Sequence, residues 1–120
     1  MGYLGSALCE ELTKKYEVVG IDNLFYQQQH NPSLLNLINR PNFRFIYGAL
    51  PEITQHYPEI FECSHFILLH SLVGAPVCDK YPDLAWKYNA RSVKELVAHL
   101  STNQKVIMPD SNSAYGTAGE

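Results

Sequence analysis

Apolar residues along the chain switch between two spacings, and the switches mark out helices and strands in alternation. Leu4, Leu8 and Leu12 recur every four residues, with Ala7 beside them and Glu10, Glu11, Lys14 and Lys15 on the other side. That spacing predicts an amphipathic helix over residues 4–15. Residues 17–22 (EVVGID) are a short apolar run ending in an acid, as in a buried strand. Residues 23–32 are mostly polar, show no period and are expected as loop. A short helix is expected over residues 34–38, stopped by Pro41. Residues 43–47 (FRFIY) predict a second strand, and residues 51–61 a helix with a proline in its first turn. The run 66–69 (FILL) predicts a third strand, followed by a turn at Gly74-Ala75-Pro76. The longest helix is expected over residues 83–100, with Asp83 as its cap. Tyr88, Val93, Leu96, Val97 and Leu100 stand at core spacing along it. Residues 105–108 (KVIM) predict a fourth strand, and the remainder is expected as loop.

Strands alternating with helices, each strand largely apolar on both faces, argue for an α/β fold with a parallel sheet. A doubly wound nucleotide-binding sheet opens with a strand at its centre, whereas this chain opens on a helix. The expectation is therefore an incomplete Rossmann-like doubly wound parallel sheet, its first strand missing and the chain cut off at both ends.

Composition narrows the partners. With 46% hydrophobic and 18% charged residues, a chain of 120 residues can bury the core of one domain. A formal net charge of -3, with lysines and arginines single or in the pair Lys14-Lys15, gives no basic field for nucleic acid. No apolar run approaches the roughly 20 residues of a membrane span, so no membrane partner is expected. Cys9, Cys63 and Cys78 are odd in number and widely spaced, which fits a reduced, cytoplasmic setting.

One constellation carries chemistry. Gly2-Tyr3-Leu4-Gly5 opens the first helix, and Asp22 ends the strand that follows. A glycine at the mouth of a helix lets backbone N–H groups approach a pyrophosphate, whose charge the helix dipole favours. A second glycine three residues on lets the helix pack closely on the sheet, and an acid about 20 residues on accepts both ribose hydroxyls. The acid also repels a 2′-phosphate. Together these residues point to nucleotide binding.

The chain resembles the extended short-chain dehydrogenase/reductases, the NAD-dependent epimerase/dehydratase group that includes UDP-glucose 4-epimerase. Gly2-Tyr3-Leu4-Gly5 matches the second half of that family's opening T-G-x-x-G-[YF]-[IL]-G, and Asp22-Asn23-Leu24 its D-N-L. Leu69-His70-Ser71-Leu72-Val73-Gly74 stands where many members read L-A-A-x-V-G. Trp86, Asn89 and Leu96 fall on the helix motif W-x-x-N and its leucines, and Ser111-Asn112-Ser113-Ala114-Tyr115-Gly116 on S-S-x-x-V-Y-G. The five matches follow in order over nearly the whole chain, making residues 1–120 a partial NAD(P)-binding Rossmann domain.

The resemblance implies roles. Gly2 and Gly5, with Tyr3 and Leu4 between them, would face the NAD pyrophosphate. Asp22 would bind the adenosine ribose with Asn23 close by, and Leu50 would lie beside the adenine. Leu69 and His70 would line the strand end that touches the cofactor, and Asn89 would be a structural polar group behind the site. Ser111 would be the catalytic hydroxyl that orients the sugar hydroxyl being oxidised. The implied substrate is a nucleotide-sugar, and the resemblance admits a homodimer for the complete protein.

The departures are as specific. Gly48-Ala49 replaces the family's Gly-Asp, which removes the acid that reads the adenine amino group. His70-Ser71 replaces two small alanines, and Ser92 and Glu95 replace a glycine and an asparagine. No tyrosine here has a lysine four residues on, so the Tyr-x-x-x-Lys base would lie beyond residue 120, together with the C-terminal substrate domain. Asn112 and Ser113 argue against a 4,6-dehydratase, which carries Asp-Glu after its catalytic threonine. Epimerase or simple reductase stays ahead, with a truncated remnant or nucleotide-binding module without chemistry as the alternative. A flavodoxin-like regulatory domain would share the alternation of elements but not the five matches.

Other candidates have plainer explanations. His30, His56, His65, His70 and His99 show no spacing of metal ligands, so no metal is expected. His70, at the carboxyl end of a strand, is expected to line the site. Cys63 and Cys78 have no nearby base or C-x-x-C partner and are expected to be inert thiols. Ser111 lacks the G-x-S-x-G spacing of a hydrolase nucleophile.

Overall fold

The computed structural model describes residues 1–27 and 30–110. Helix α1 (Tyr3–Leu12) starts at Gly2 and stops at Thr13, short of the expected end. The stop has a cause outside the helix: Asn42 Nδ2 donates to the carbonyls of Thr13 (2.7 Å) and Tyr16 (2.8 Å), taking acceptors that a longer helix would use. Strand β1 (Val18–Asp22) pairs in parallel with β2 (Phe43–Tyr47), Gly20 standing opposite Phe45. Between them α2 (Pro32–Ile38) begins ahead of the expected residue 34. Asn31 caps it, its side chain accepting from the Ser33 amide at 3.0 Å, and Pro32 fills the first helical position.

The helix expected over residues 51–61 is two short 3₁₀ turns, Glu52–Gln55 and Pro58–Glu62. Pro58 divides them. It has no N–H for a helical bond and pushes Tyr57 out of the helical region, to φ -133° and ψ 66°. Strand β3 (His65–Ile67) then pairs in parallel with β4 (Lys105–Ile107). The turn at Gly74 opens a short helix, α3 (Ala75–Lys80). The long helix runs without a break as α4 (Pro82–Trp86), a π turn (Lys87–Arg91) and α5 (Ser92–Ala98). Its N-cap is Tyr81, and Asp83 lies inside the first turn where its charge faces the positive helix end.

This is a Rossmann-like α/β arrangement in which the described strands form two parallel pairs, β1–β2 and β3–β4, not joined to each other. Two core clusters flank the first pair. Met1, Leu34, Leu37 and Phe43 pack toward the helices α1 and α2, and Ile46, Ile53 and Ile60 pack beneath the other face. Leu4, expected in a core, is 61% exposed, because the Leu4–Leu8–Leu12 stripe faces the open space between the pairs. On α5 the buried residues are Ser92 and Leu96, while Val97 is exposed.

Candidate functional site

The space between the strand pairs is a cleft of about 1490 Å³. Gly2, Tyr3, Leu4, Gly5, Asp22, Asn23, Leu50, Leu69, His70 and Asn89 all line it, so the structure brings the described sequence candidates to one place. Ser111 lies outside the described residues, although Asp110, its neighbour, lines the same cleft beyond β4. A smaller concavity on the long helix, beside Trp86 and Lys94, holds none of these groups.

The N-terminus of α1 opens into the cleft. Gly2 provides no side-chain cap, and the first turn carries no acid. Its first amides therefore keep their hydrogen-bonding capacity for a ligand, and the helix dipole makes that ligand an anion. Ser6, buried behind them, donates its hydroxyl to the Gly2 carbonyl at 2.8 Å and steadies the turn. The close approach expected at Gly5 falls elsewhere. A Cβ at Gly5 would meet the Leu69 side chain at 3.9 Å, an ordinary contact, whereas one at Gly20 would come within 2.8 Å of the Phe43 ring.

Asp22 ends β1 at the mouth of the cleft. Its Oδ1 accepts from the Leu24 amide at 2.7 Å, and its Oδ2 meets the Met1 amino group. Burial pushes that amine below its usual pKa, with nearby Cys9 acting in the other direction. Asn23 turns inward on its own loop, its Oδ1 accepting from the Phe25 amide at 3.1 Å. Leu50 packs against the Ile46 cluster. Tyr26 was hidden in a polar stretch of sequence, yet its hydroxyl accepts from the Val73 amide at 3.2 Å and ties the loop after β1 to the loop after β3. Only its aromatic neighbour Phe25, packed edge-on against it, could have marked it in the sequence.

The β3 side of the cleft is set by the π turn. Asn89 accepts from the Leu72 amide at 2.7 Å and from the Ser71 hydroxyl at 3.2 Å, and donates to the Leu72 carbonyl at 2.9 Å. One amide side chain thus holds the chain where it leaves the strand. Beside it, His70 Nε2 lies 2.8 Å from the hydroxyl of fully buried Ser92, which in turn donates to the Tyr88 carbonyl at 2.7 Å. Burial holds the His70 pKa below its usual value, with the Tyr88 carbonyl opposing, so the neutral ring is favoured. His70 and Ser92, two departures from the family pattern, are in contact with each other. Burial raises the Cys9 and Cys63 pKa values, which leaves both as poorly nucleophilic thiols.

These groups fit a dinucleotide: unspent amides on a helix end, an acid at the adjacent strand end, and an apolar wall between. No helix among the described residues is long and apolar enough to cross a membrane. The model of the NAD dependent epimerase/dehydratase family matches residues 1–120. With the match running the length of the chain and the parallel α/β architecture beneath it, the chain belongs to the NAD dependent epimerase/dehydratase family.

Proposed function

We propose that the chain is the dinucleotide-binding part of an enzyme that interconverts nucleotide-sugars, an epimerase or reductase ahead of a dehydratase, with NAD as its cofactor. The observation that carries this is the convergence of the α1 N-terminus, Asp22 and the β3 end on one cleft. The amides of Gly2 to Gly5 would hold the pyrophosphate. Asp22 would accept from the ribose hydroxyls and disfavour a 2′-phosphate. When bound, the nicotinamide supplies reversible hydride transfer. Ser111 would orient the sugar hydroxyl, the proton passing to a tyrosine supplied from outside residues 1–120. The free state of Cys9, Cys63 and Cys78 supports a reducing, cytoplasmic setting, and the family resemblance admits a homodimer for the complete protein.

A second reading, nucleotide binding without chemistry, draws support from Ala49 and from the contact the Asp22 carboxylate already makes with the Leu24 amide. Two measurements on the chain at its natural length separate them. Calorimetric titration should show NAD binding tighter than NADP, and equal or tighter NADP binding would refute the role of Asp22. Turnover of a panel of nucleotide-sugars should fall steeply in Ser111→Ala with NAD affinity retained; no turnover by the wild type would favour the second reading.

A further inference from the structure

The loop after β1 crosses the mouth of the cleft, and its base is fixed. Leu24 packs against the cluster of Leu34, Leu37 and Phe43, and its amide donates to Asp22 Oδ1 at 2.7 Å. Asn23 Oδ1 holds the Phe25 amide in the same way at 3.1 Å. The Gln27 amide then donates to the Leu24 carbonyl at 2.8 Å, closing a tight turn with Phe25 and Tyr26 at its tip. The two residues that flank the tip, Leu24 (φ 53°) and Gln27 (φ 59°), both stand in the left-handed region. A side chain with a Cβ resists that region, so the turn is held against a backbone preference at each end. Short segments that move as gates turn on such end residues, which absorb the change in φ and ψ.

The tip reaches the opposite wall. Phe25 and Tyr26, edge-on to each other, both line the cleft, and the Tyr26 hydroxyl accepts from the Val73 amide at 3.2 Å. The two strand pairs share no ladder bond, so this contact joins walls that the sheet leaves separate. Tyr26 is 45% exposed and Val73 61%, so water competes for both groups and the bond can open reversibly. Ligands of open parallel sheets enter at the carboxyl ends of the strands, and the bridge runs across that entrance, from the segment after β1 to the segment after β3. On the functional reading above, on which this inference rests, the dinucleotide lies beneath it. Asp22, which would take the ribose, also anchors the base of the loop. We propose that residues 24–27 are a strap that closes over the bound dinucleotide, with the Tyr26 hydroxyl to Val73 amide bond as its latch and Leu24 and Gln27 as its hinges.

A latch of this kind governs rates more than affinity. It must open for entry and for exit alike, so removing it should speed both and leave the equilibrium almost unchanged. In the chain at its natural length, Tyr26→Phe keeps the ring and loses the acceptor. Stopped-flow mixing with NAD should show association and dissociation both faster by about two- to tenfold, the range of one neutral hydrogen bond, with Kd within about twofold. Gln27→Val, which puts a β-branched residue in the left-handed region, should open the strap from the backbone and reproduce the effect. Gln27→Asn, which tolerates that region, should keep the wild-type rates. In hydrogen exchange on the free chain, the Val73 amide should exchange more slowly in the wild type than in Tyr26→Phe, by a similar factor. Faster dissociation with an unchanged association rate would make Tyr26 a ligand contact and overturn the proposal, as would a Val73 amide that exchanges equally in both. A wild-type chain that does not bind NAD would instead overturn the dinucleotide reading, while the Val73 exchange would still decide the latch.

Discussion

Replacing Gly20 by alanine should destabilise the fold, although it adds a single methyl group. The added Cβ would lie 2.8 Å from Phe43 Cζ, 3.0 Å from Cε2 and 3.1 Å from Met1 Sδ, all inside ordinary contact distance. The Phe43 ring has little room to retreat, since it packs with Met1, Leu34 and the fully buried Leu37. Gly20 cannot move either, because the β1–β2 ladder holds it opposite Phe45. Overpacking of this kind costs about 1–3 kcal/mol. Alanine recovers about 0.5–1 kcal/mol by restricting the unfolded chain. The net loss is about 1–2 kcal/mol, a five- to thirtyfold drop in the folded-to-unfolded ratio. Urea denaturation of the chain at its natural length should show a lower midpoint with an unchanged slope. Gly5→Ala is the matched control. Its new Cβ would meet only the end of Leu69 at 3.9 Å, so the same substitution should be neutral or stabilise by up to about 1 kcal/mol. Gly20→Ala as stable as wild type, or Gly5→Ala the more damaging of the two, would refute the reasoning.

Three further outcomes are expected. Asn89→Leu should cost about 1–3 kcal/mol for the Leu72 amide it leaves unpaired, read as a lower denaturation midpoint, and should loosen the chain after β3 in hydrogen exchange. Because His70 has its folded pKa held below 6.5, the unfolded chain binds the proton more readily; the stability this contributes is fully present above pH 6.5 and is lost as pH falls toward the folded value. His70→Phe should flatten that part of the stability profile as pH falls below the usual histidine range, and an unchanged profile would assign it to another group. Residues 1–120 prepared alone should self-associate in a concentration-dependent way in sizing experiments, since β1 and β3 each keep an edge with no ladder partner among the described strands.

The sequence carries its information unevenly, and the reasons are physical. Residues 43–47 form β2 over the very range that their pattern predicts, because aromatic and β-branched residues are what a strand favours. The extent of α1 is misjudged because it depends on Asn42, a residue far along the chain that competes for its last carbonyls. The 51–61 segment keeps its apolar residues in the core while Pro58 changes the geometry that delivers them. At the site, Gly2, Gly5 and Asp22 can be recognised because backbone access and charge follow from residue type. Leu69 and His70 are placed by the resemblance. The His70–Ser92 contact and the Tyr26 bridge join residues with no local signal, and the π turn that seats Ser92 and Asn89 has no period of its own in the sequence.

Both core clusters belong to the β1–β2 side, and this gives the molecule two thermodynamic grades. Strand β4 is exposed at all three of its positions, and only scattered side chains, Leu68, Leu72 and Leu96, anchor its neighbourhood. Amides there should exchange through local opening, while those of β1 and β2 should wait for larger unfolding. A ligand spanning the cleft would therefore act as a fastener. Its adenosine end would rest on a surface that is already firm, and its far end would close the half that opens first. Protection gained on binding would then be concentrated in β3, β4 and the long helix, and the binding free energy would be spent in part on ordering them.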